Sequence, residues 1–377
     1  MPRVHHRHRP ARPLAALALA GVLVLPACGT GSGAAPADAA EGTGETLTIT
    51  DELGREVTVD VPITAVYTDL FYTTELVRAI GAEEAIVSVD DTSSPEKTPA
   101  NAGYFEEFAG LPTVGEYDEP NWEAIVESGA QVALLRRNGP YEEAIEKLEP
   151  FGIEVVVVTS WDPAVIREYL PVLGEAFGTE EQAAEAARLF DDISDLIAER
   201  TVDVPPRTVY YENATDYSTG VPGSGWHDII VDAGGENLYG DVRLGDDQGA
   251  NVHNYEVDPV DIISRDPDLI VRQGLDDHPQ GYEAWPAEAF QREAEEIAER
   301  PGWSGISAVR DDEIYVVNNF LLSAFGKQLG ALAIATWLYP DEFADVDLDA
   351  YFDRWLDLQN TPNVSAGAYV QKIGEEG

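Results

Sequence analysis

Two stretches decide the fold. Glu123-Ala-Ile-Val-Glu-Ser-Gly-Ala-Gln-Val-Ala-Leu-Leu135 runs into Arg136 and Arg137, and Val260-Asp-Ile-Ile-Ser-Arg-Asp-Pro-Asp-Leu-Ile-Val271 runs into Arg272. Ile125 and Val126 correspond to Ile262 and Ile263, and Val132, Ala133 and Leu134 to Leu269, Ile270 and Val271, with no gap inside either copy. Such spacing is that of an internal repeat. Each copy reads as a helix followed by a short apolar run, the pattern of a strand buried in a parallel sheet. Copies separated by more than a hundred residues predict two similar α/β lobes. In such sheets ligands bind beyond the carboxyl ends of the strands, which is where the three arginines fall.

Outward from the first copy, Leu47-Thr-Ile-Thr50 and Val57-Thr-Val59 around Gly54 read as a β-hairpin. Ala65 to Tyr67 and Ala85 to Val89 read as strands flanking a helix over Thr73–Ile80. Tyr141–Phe151 reads as a further helix, leading to a strand at Ile153–Val158. This alternation implies a parallel sheet. Pro163 to Arg200 is helical in pattern, with Gly174, Gly178 and Thr179 as places for a break, and no apolar strand interrupts it. It is expected to connect the lobes. The boundaries that follow are a lobe over 47–162, a helical connector over 163–205 and a second lobe over 206–377.

The start of the chain carries Arg3, Arg7, Arg9 and Arg12 and no acid. An apolar run follows from Leu14 to Val24, and small residues close it before Cys28, the sole cysteine. This pattern predicts a secretory signal over 1–27, too short to span a membrane as a stop-transfer helix. The tether over 28–46 is rich in Gly, Ala, Ser and Thr. With one cysteine no internal disulfide forms. Loss of 1–27 would remove four of the 23 Lys+Arg and none of the 70 Asp+Glu, leaving a formal charge of −51. That charge keeps the chain soluble and repels nucleic acid and anionic lipid, so no nucleic-acid partner is expected. The acids are spread along the whole chain, which fits surface adaptation to a salty medium better than one cation-collecting site.

The chain resembles the substrate-binding proteins of ABC importers for ferric siderophores, vitamin B12 and haem. The resemblance is carried in order by Thr48 to Pro62, Pro120-Asn-Trp-Glu123, Gly152-Ile153, Gly234-Gly-Glu-Asn237, Asp266-Pro-Asp-Leu-Ile270 and the Tyr339-Pro340 to Trp355 region, and it covers about Leu47 to Leu358. It implies two Rossmann-like α/β lobes bridged by one long α-helix, a ligand in the cleft between them and modest closure. It also implies an extracytoplasmic, monomeric receptor held to the cell membrane by a lipid on Cys28, with an ABC permease and its ATPase as partners. In that family an acid on each lobe docks onto permease arginines. On the first lobe the position falls on Glu142, with Glu143 beside it. On the second it falls on Val260, which leaves Asp258 or Asp261 to take the role.

A ferric siderophore is a bulky, often anionic chelate, so its cleft needs aromatic walls and cationic donors, and arginine's planar fork suits carboxylate and catecholate oxygens. Arg136, Arg137, Arg272 and Lys327 are the candidate donors, and Tyr67, Tyr72, Trp226 and Trp285, with Phe71, the candidate walls. Cobalamin, haem and oxyanions such as molybdate are the alternative ligands. No resident cofactor is expected. A direct metal-ion carrier would use His227, His253 and His278, but these lack short ligand spacing and none lies in the first lobe. Pro222-Gly-Ser-Gly225 departs from the nucleophile elbow by its proline, and no metalloprotease or phosphate-loop pattern occurs, so an enzyme is not expected.

Overall fold

The computed structural model of the chain describes residues 44–244, 251–274, 285–318, 321, 326–360 and 369–374. Cys28 and His278 lie outside the described residues. A hairpin, β1 (Glu45–Thr50) with β2 (Glu56–Val61), opens the first lobe. Its sheet consists of β3 (Val66–Thr68), β4 (Ile86–Val89), β7 (Val132–Leu135) and β8 (Glu154–Val157), all parallel, in the order β4-β3-β7-β8. Between β4 and β7 a two-residue ladder, β5 (Gly115–Glu116) with β6 (Glu119–Pro120), turns the chain at Tyr117 and Asp118. The helices are α1 (Phe71–Ala79), α2 (Trp122–Glu127) and α3 (Tyr141–Leu148). Asn121 starts α2 because its side-chain oxygen accepts the Ala124 N–H, one of the donors a helix start leaves orphaned.

The connector holds two helices, the second of which is the long bridge that the resemblance implied. α4 (Pro163–Phe177) starts at the Asp162 cap and stops at Gly178, whose φ of +71° is the left-handed geometry of a helix stop. α5 (Glu180–Thr201) then folds back along it. The two pack so closely at Gly174 that a Cβ there would sit 2.5 Å from the Ala183 Cβ. α5 bridges the lobes: it packs on α1 of the first lobe and on α10 and α11 of the second. With 22 residues it is about 33 Å long at 1.5 Å per residue.

The second lobe contains β9 (Thr208–Glu212), β10 (Ser218–Thr219), α6 (Gly225–Asp232), β11 (Glu236–Asn237) and β12 (Tyr255–Glu256). The repeat unit follows as α7 (Pro259–Arg265) and β13 (Leu269–Gln273), and then come α8 (Ala287–Ala298), α9 (Ser307–Arg310) and β14 (Ile314–Val317). The lobe ends with α10 (Gly326–Leu338), α11 (Leu348–Leu358) and β15 (Val370–Lys372). Its sheet order is β11-β9-β13-β14-β15, with β15 antiparallel at the edge. The first four strands reproduce the order of the first lobe, so the repeat is one of topology as well as of sequence. The registers agree too: Tyr67 lies beside Ala133, and Tyr210 lies beside Ile270, the residue that corresponds to Ala133.

Strand alternation assigns the core. Val132 and Leu134, like Leu269 and Val271, face one continuous apolar cluster that also holds Leu189, Phe190, Ile193 and Ile197 of α5. Ala133 and Leu135 face a separate cluster on the other side of the first sheet, and Ile270 its counterpart in the second. The same gap-free alignment pairs Leu135 with Arg272 and Arg136 with Gln273. The two arginines that end the repeats therefore lie on opposite faces of equivalent strands, because successive strand residues point opposite ways.

Candidate functional site

Between the two sheets, beyond their carboxyl ends, lies a cleft of about 620 Å³. The first lobe contributes Phe71 and Tyr72 from the start of α1, Tyr117 and Asp118 from the β5–β6 turn, Arg136 from the end of β7, and Trp161. The second contributes Asn213 to Thr215 after β9, Trp226 at the start of α6, His253, Gln273 and Lys327. Aromatic rings thus face each other from both lobes. Trp226 is backed by Tyr211, stacked at 5.5 Å between centroids.

Lys327 is the centre of this site. It is 5% exposed, and its Nζ donates across the cleft to the Trp161 carbonyl at 2.6 Å. The ammonium lies 5.2 Å from the Trp161 ring centroid and 5.3 Å from that of Trp226, so it is held between an aromatic face of each lobe. Gly225 makes this possible, since a Cβ there would collide with Nζ. Burial disfavours the charged form and brings the Lys327 pKa down to about 8, against the pull of Asp228 and Asp162.

Arg136 also lines the cleft, but it arrives with partners. Its backbone N–H and Nη1 both donate to Asp69 Oδ2, at 3.1 and 2.8 Å, and its Nη2 meets Asp118 Oδ1 at 2.5 Å. Asp69 is buried while Asp118 is largely exposed, so the outer half of the guanidinium can exchange Asp118 for a ligand oxygen. Its plane covers the Tyr117 ring at 4.8 Å. His253 accepts or donates at Nδ1 with Ser224 Oγ, 2.9 Å away, and its ring meets that of Trp161 edge to face at 6.1 Å. Burial, then Lys327 and Arg137, lower its pKa and so favour the neutral imidazole.

Of the sequence-predicted ligand residues, Tyr72, Arg136, Trp226 and Lys327 meet in the cleft. Arg137 stands behind it, paired with Asp162 at 2.9 Å and Glu52 at 3.2 Å, and supports the Trp161 ring from 4.5 Å. Tyr67 is a correction: it is fully buried inside the first-lobe core, because its strand position points it away from the cleft. Trp285 is another, packed on Phe290 in the second-lobe core. Arg272 is the third. It is 1% exposed and pairs with Glu212 at 2.8 Å and Glu293 at 2.9 Å, while donating to the carbonyls of Asn213 and Ala214 at 2.7 and 3.1 Å. It supports the loop that forms the cleft wall and does not itself face the cleft. Gln273 takes the facing position, as the repeat alignment requires. Asn213 and Gln273 lie in the segments 212–227 and 272–278, which the sequence places just past strand ends at the cleft without singling either residue out, whereas Tyr117 and Asp118, on a turn without periodicity, were missed.

His227 lies outside the cleft lining, and among the described residues no cluster of three or more His, Cys, Asp or Glu is arranged to hold a metal ion. Nor is any described helix long and apolar enough to cross a membrane. Of the four acids considered for docking, Glu142 is exposed on the first turn of α3. Glu143 accepts from Trp122 Nε1 at 3.0 Å, Asp258 caps α7 through the Val260 N–H, and Asp261 is paired with Arg265 at 2.9 Å. Val260 is 65% exposed.

Two parallel-sheet lobes, a helical bridge and a cleft at the strand ends define a two-lobed binding protein. The family model described as Periplasmic binding protein matches residues 66–319, and the chain belongs to that family, the substrate-binding proteins of ABC transporters. Such proteins act outside the cytoplasm. The chain is similar to the molybdate-binding protein MolA of Haemophilus influenzae, at 22% identity over 352 residues, covering 84% of this chain and 93% of MolA. The solved structure of molybdate-bound MolA superposes with a TM-score of 0.66, covering 85% of this chain and 99% of that one, at 19% identity. The uncharacterized ABC transporter substrate-binding lipoprotein YvrC of Bacillus subtilis is 24% identical over 349 residues, covering 88% of this chain and 98% of YvrC. The TroA-like periplasmic binding protein FepB of Veillonella parvula has a TM-score of 0.70 at 20% identity, covering 87% of this chain and 99% of FepB.

Proposed function

We propose that this substrate-binding protein captures an anionic metal chelate, foremost a ferric siderophore, and delivers it to an ABC permease and its ATPase while anchored through a lipid on Cys28. One observation carries the ligand class: a cleft of about 620 Å³ whose aromatic walls converge on the Lys327 ammonium and the outer half of the Arg136 guanidinium. The volume falls within the range of roughly 300–1,000 Å³ typical of small-molecule sites and suits a chelate with aromatic or aliphatic arms. The two cations suit its outer oxygens. A buried ammonium argues against cobalamin, which is near neutral around its ring. A second reading, an oxyanion such as molybdate, draws support from the similarity to MolA and from Lys327, but such an anion would occupy only a small part of the volume. The lipoprotein YvrC supports the anchor.

Quenching of the Trp161 and Trp226 fluorescence should follow titration with ferric tris-catecholate and tris-hydroxamate chelates and not with cobalamin. Saturable quenching by molybdate alone would replace the chelate with the oxyanion. Docking on the first lobe is assigned to Glu142, the one exposed acid of the Glu142–Glu143 pair with no side-chain partner among the described residues. Rim charges of this kind set register and association rate. Glu142→Ala should leave chelate affinity intact while slowing uptake severalfold in proteoliposomes bearing the permease and ATPase; unchanged uptake would rule the site out.

A further inference from the structure

The hydrogen bonding of Ser224 fixes which nitrogen of His253 carries the proton. Ser224 is fully buried at the start of α6, and its Oγ accepts the Trp226 N–H at 3.3 Å, as the cap of that helix. A hydroxyl has one proton to give, and among the described residues the one remaining partner of Oγ is His253 Nδ1 at 2.9 Å. The hydroxyl therefore donates and Nδ1 accepts, which leaves the proton of a neutral imidazole on Nε2. The opposite tautomer would make Oγ accept twice and strand its own proton in a buried site, an expensive arrangement. Among the described residues His253 Nε2 has no hydrogen-bond partner, and the half-buried residue lines the cleft. The neighbouring cations Lys327 and Arg137 act against a second proton on the ring.

We propose that His253 is a specificity-determining residue that presents Nε2–H to an oxygen of the bound ligand, so that the cleft selects oxygen-rich chelates whose metal is already fully coordinated. It follows that His253 does not offer a lone pair to a metal. This rests on the chelate reading above for the identity of the ligand, but not for the tautomer. Lys327, which is a full donor, and His253, which is a neutral one, would then read adjacent oxygens on the second-lobe side. Ser224 acts through His253 as a positioning residue.

The test has two arms at pH 7.5. In protein labelled with ¹⁵N-histidine, two-bond ¹H–¹⁵N correlations, assigned against His253→Gln, should show His253 protonated at Nε2, and Ser224→Ala should shift that signal toward a tautomer mixture. Protonation at Nδ1 in the unsubstituted protein overturns the proposal. In binding, His253→Leu should weaken a ferric tris-catecholate by about tenfold or more, the loss of one hydrogen bond to a charged acceptor. His253→Gln, which keeps an N–H, should lose less. Equal loss in both, or micromolar Zn²⁺ binding that disappears in His253→Gln, overturns the donor role. If no chelate binds the unsubstituted protein, the functional reading falls and the donor role with it, while the tautomer is still decided by the spectrum.

Discussion

Lys327→Met should lower affinity for a ferric catecholate by one to two orders of magnitude while making the ligand-free protein more stable. The loss in affinity is that of a charge-assisted hydrogen bond, about 1.5–3 kcal/mol, or roughly 10- to 150-fold. The gain in stability comes from the same burial. A pKa brought from 10.5 to about 8 means that folding opposes the charged form, by about 1.4 kcal/mol per pH unit. Methionine removes that cost and leaves the Trp161 carbonyl without its donor, a loss of about 1 kcal/mol, so a net gain of roughly 2–3 kcal/mol is expected. The pH dependence has a definite sign. Below about pH 8 the folded protein carries the ammonium, and anion affinity is full; as pH rises through 8 the affinity falls. The stability penalty is present below pH 8 and fades between 8 and 10.5, so the gap between the two proteins closes over that range. Titrations at pH 7 and 9.5, with urea unfolding of both proteins, check this. Equal affinity of the two proteins at pH 7 would remove Lys327 from the site.

Arg272→Met is expected to act in the opposite way, as a loss of stability of about 3–5 kcal/mol. Its guanidinium is buried against Glu212, itself 1% exposed, and against Glu293. Removing one side of a buried ion pair strands the other charge, even though the pair as a whole adds little. Arg300 at 2.9 Å from Glu212 relieves part of this and keeps the expected cost within that range. Arg272→Lys should not restore stability, because a point charge cannot hold two carboxylates and the carbonyls of Asn213 and Ala214 together. A urea midpoint unchanged in Arg272→Met would contradict this network.

The contrast between these two cations marks how far the sequence can be read. The repeat was legible down to its register, because apolar side chains at strand positions 132–135 and 269–272 alternate faces with a period of two. That register already assigned Arg272 to the place of Leu135, and the similar look of the two strand ends concealed it. Tyr67 and Trp285 misled for a related reason: an aromatic residue near a strand end has the same composition whether it faces a core or a cleft, and only its parity along the strand separates the two. The connector's break at Gly178 was visible as a glycine, but the packing of the two helices depended on Gly174 letting α4 fold back against Ala183. Tyr117 and Asp118 had no sequence signal, since they are brought to the cleft by a two-residue ladder.

The apolar cluster that runs from the first sheet through α5 into the second also limits how this receptor can announce that it is loaded. Swinging the lobes widely apart would expose hydrocarbon to water along the whole hinge, at about 25 cal/mol for each square ångström. That cost favours empty and filled molecules of nearly the same outline. A transporter that tells them apart has to sense small displacements at the rim, such as a shift of the Trp161 segment when a guest takes the Lys327 ammonium away from its carbonyl.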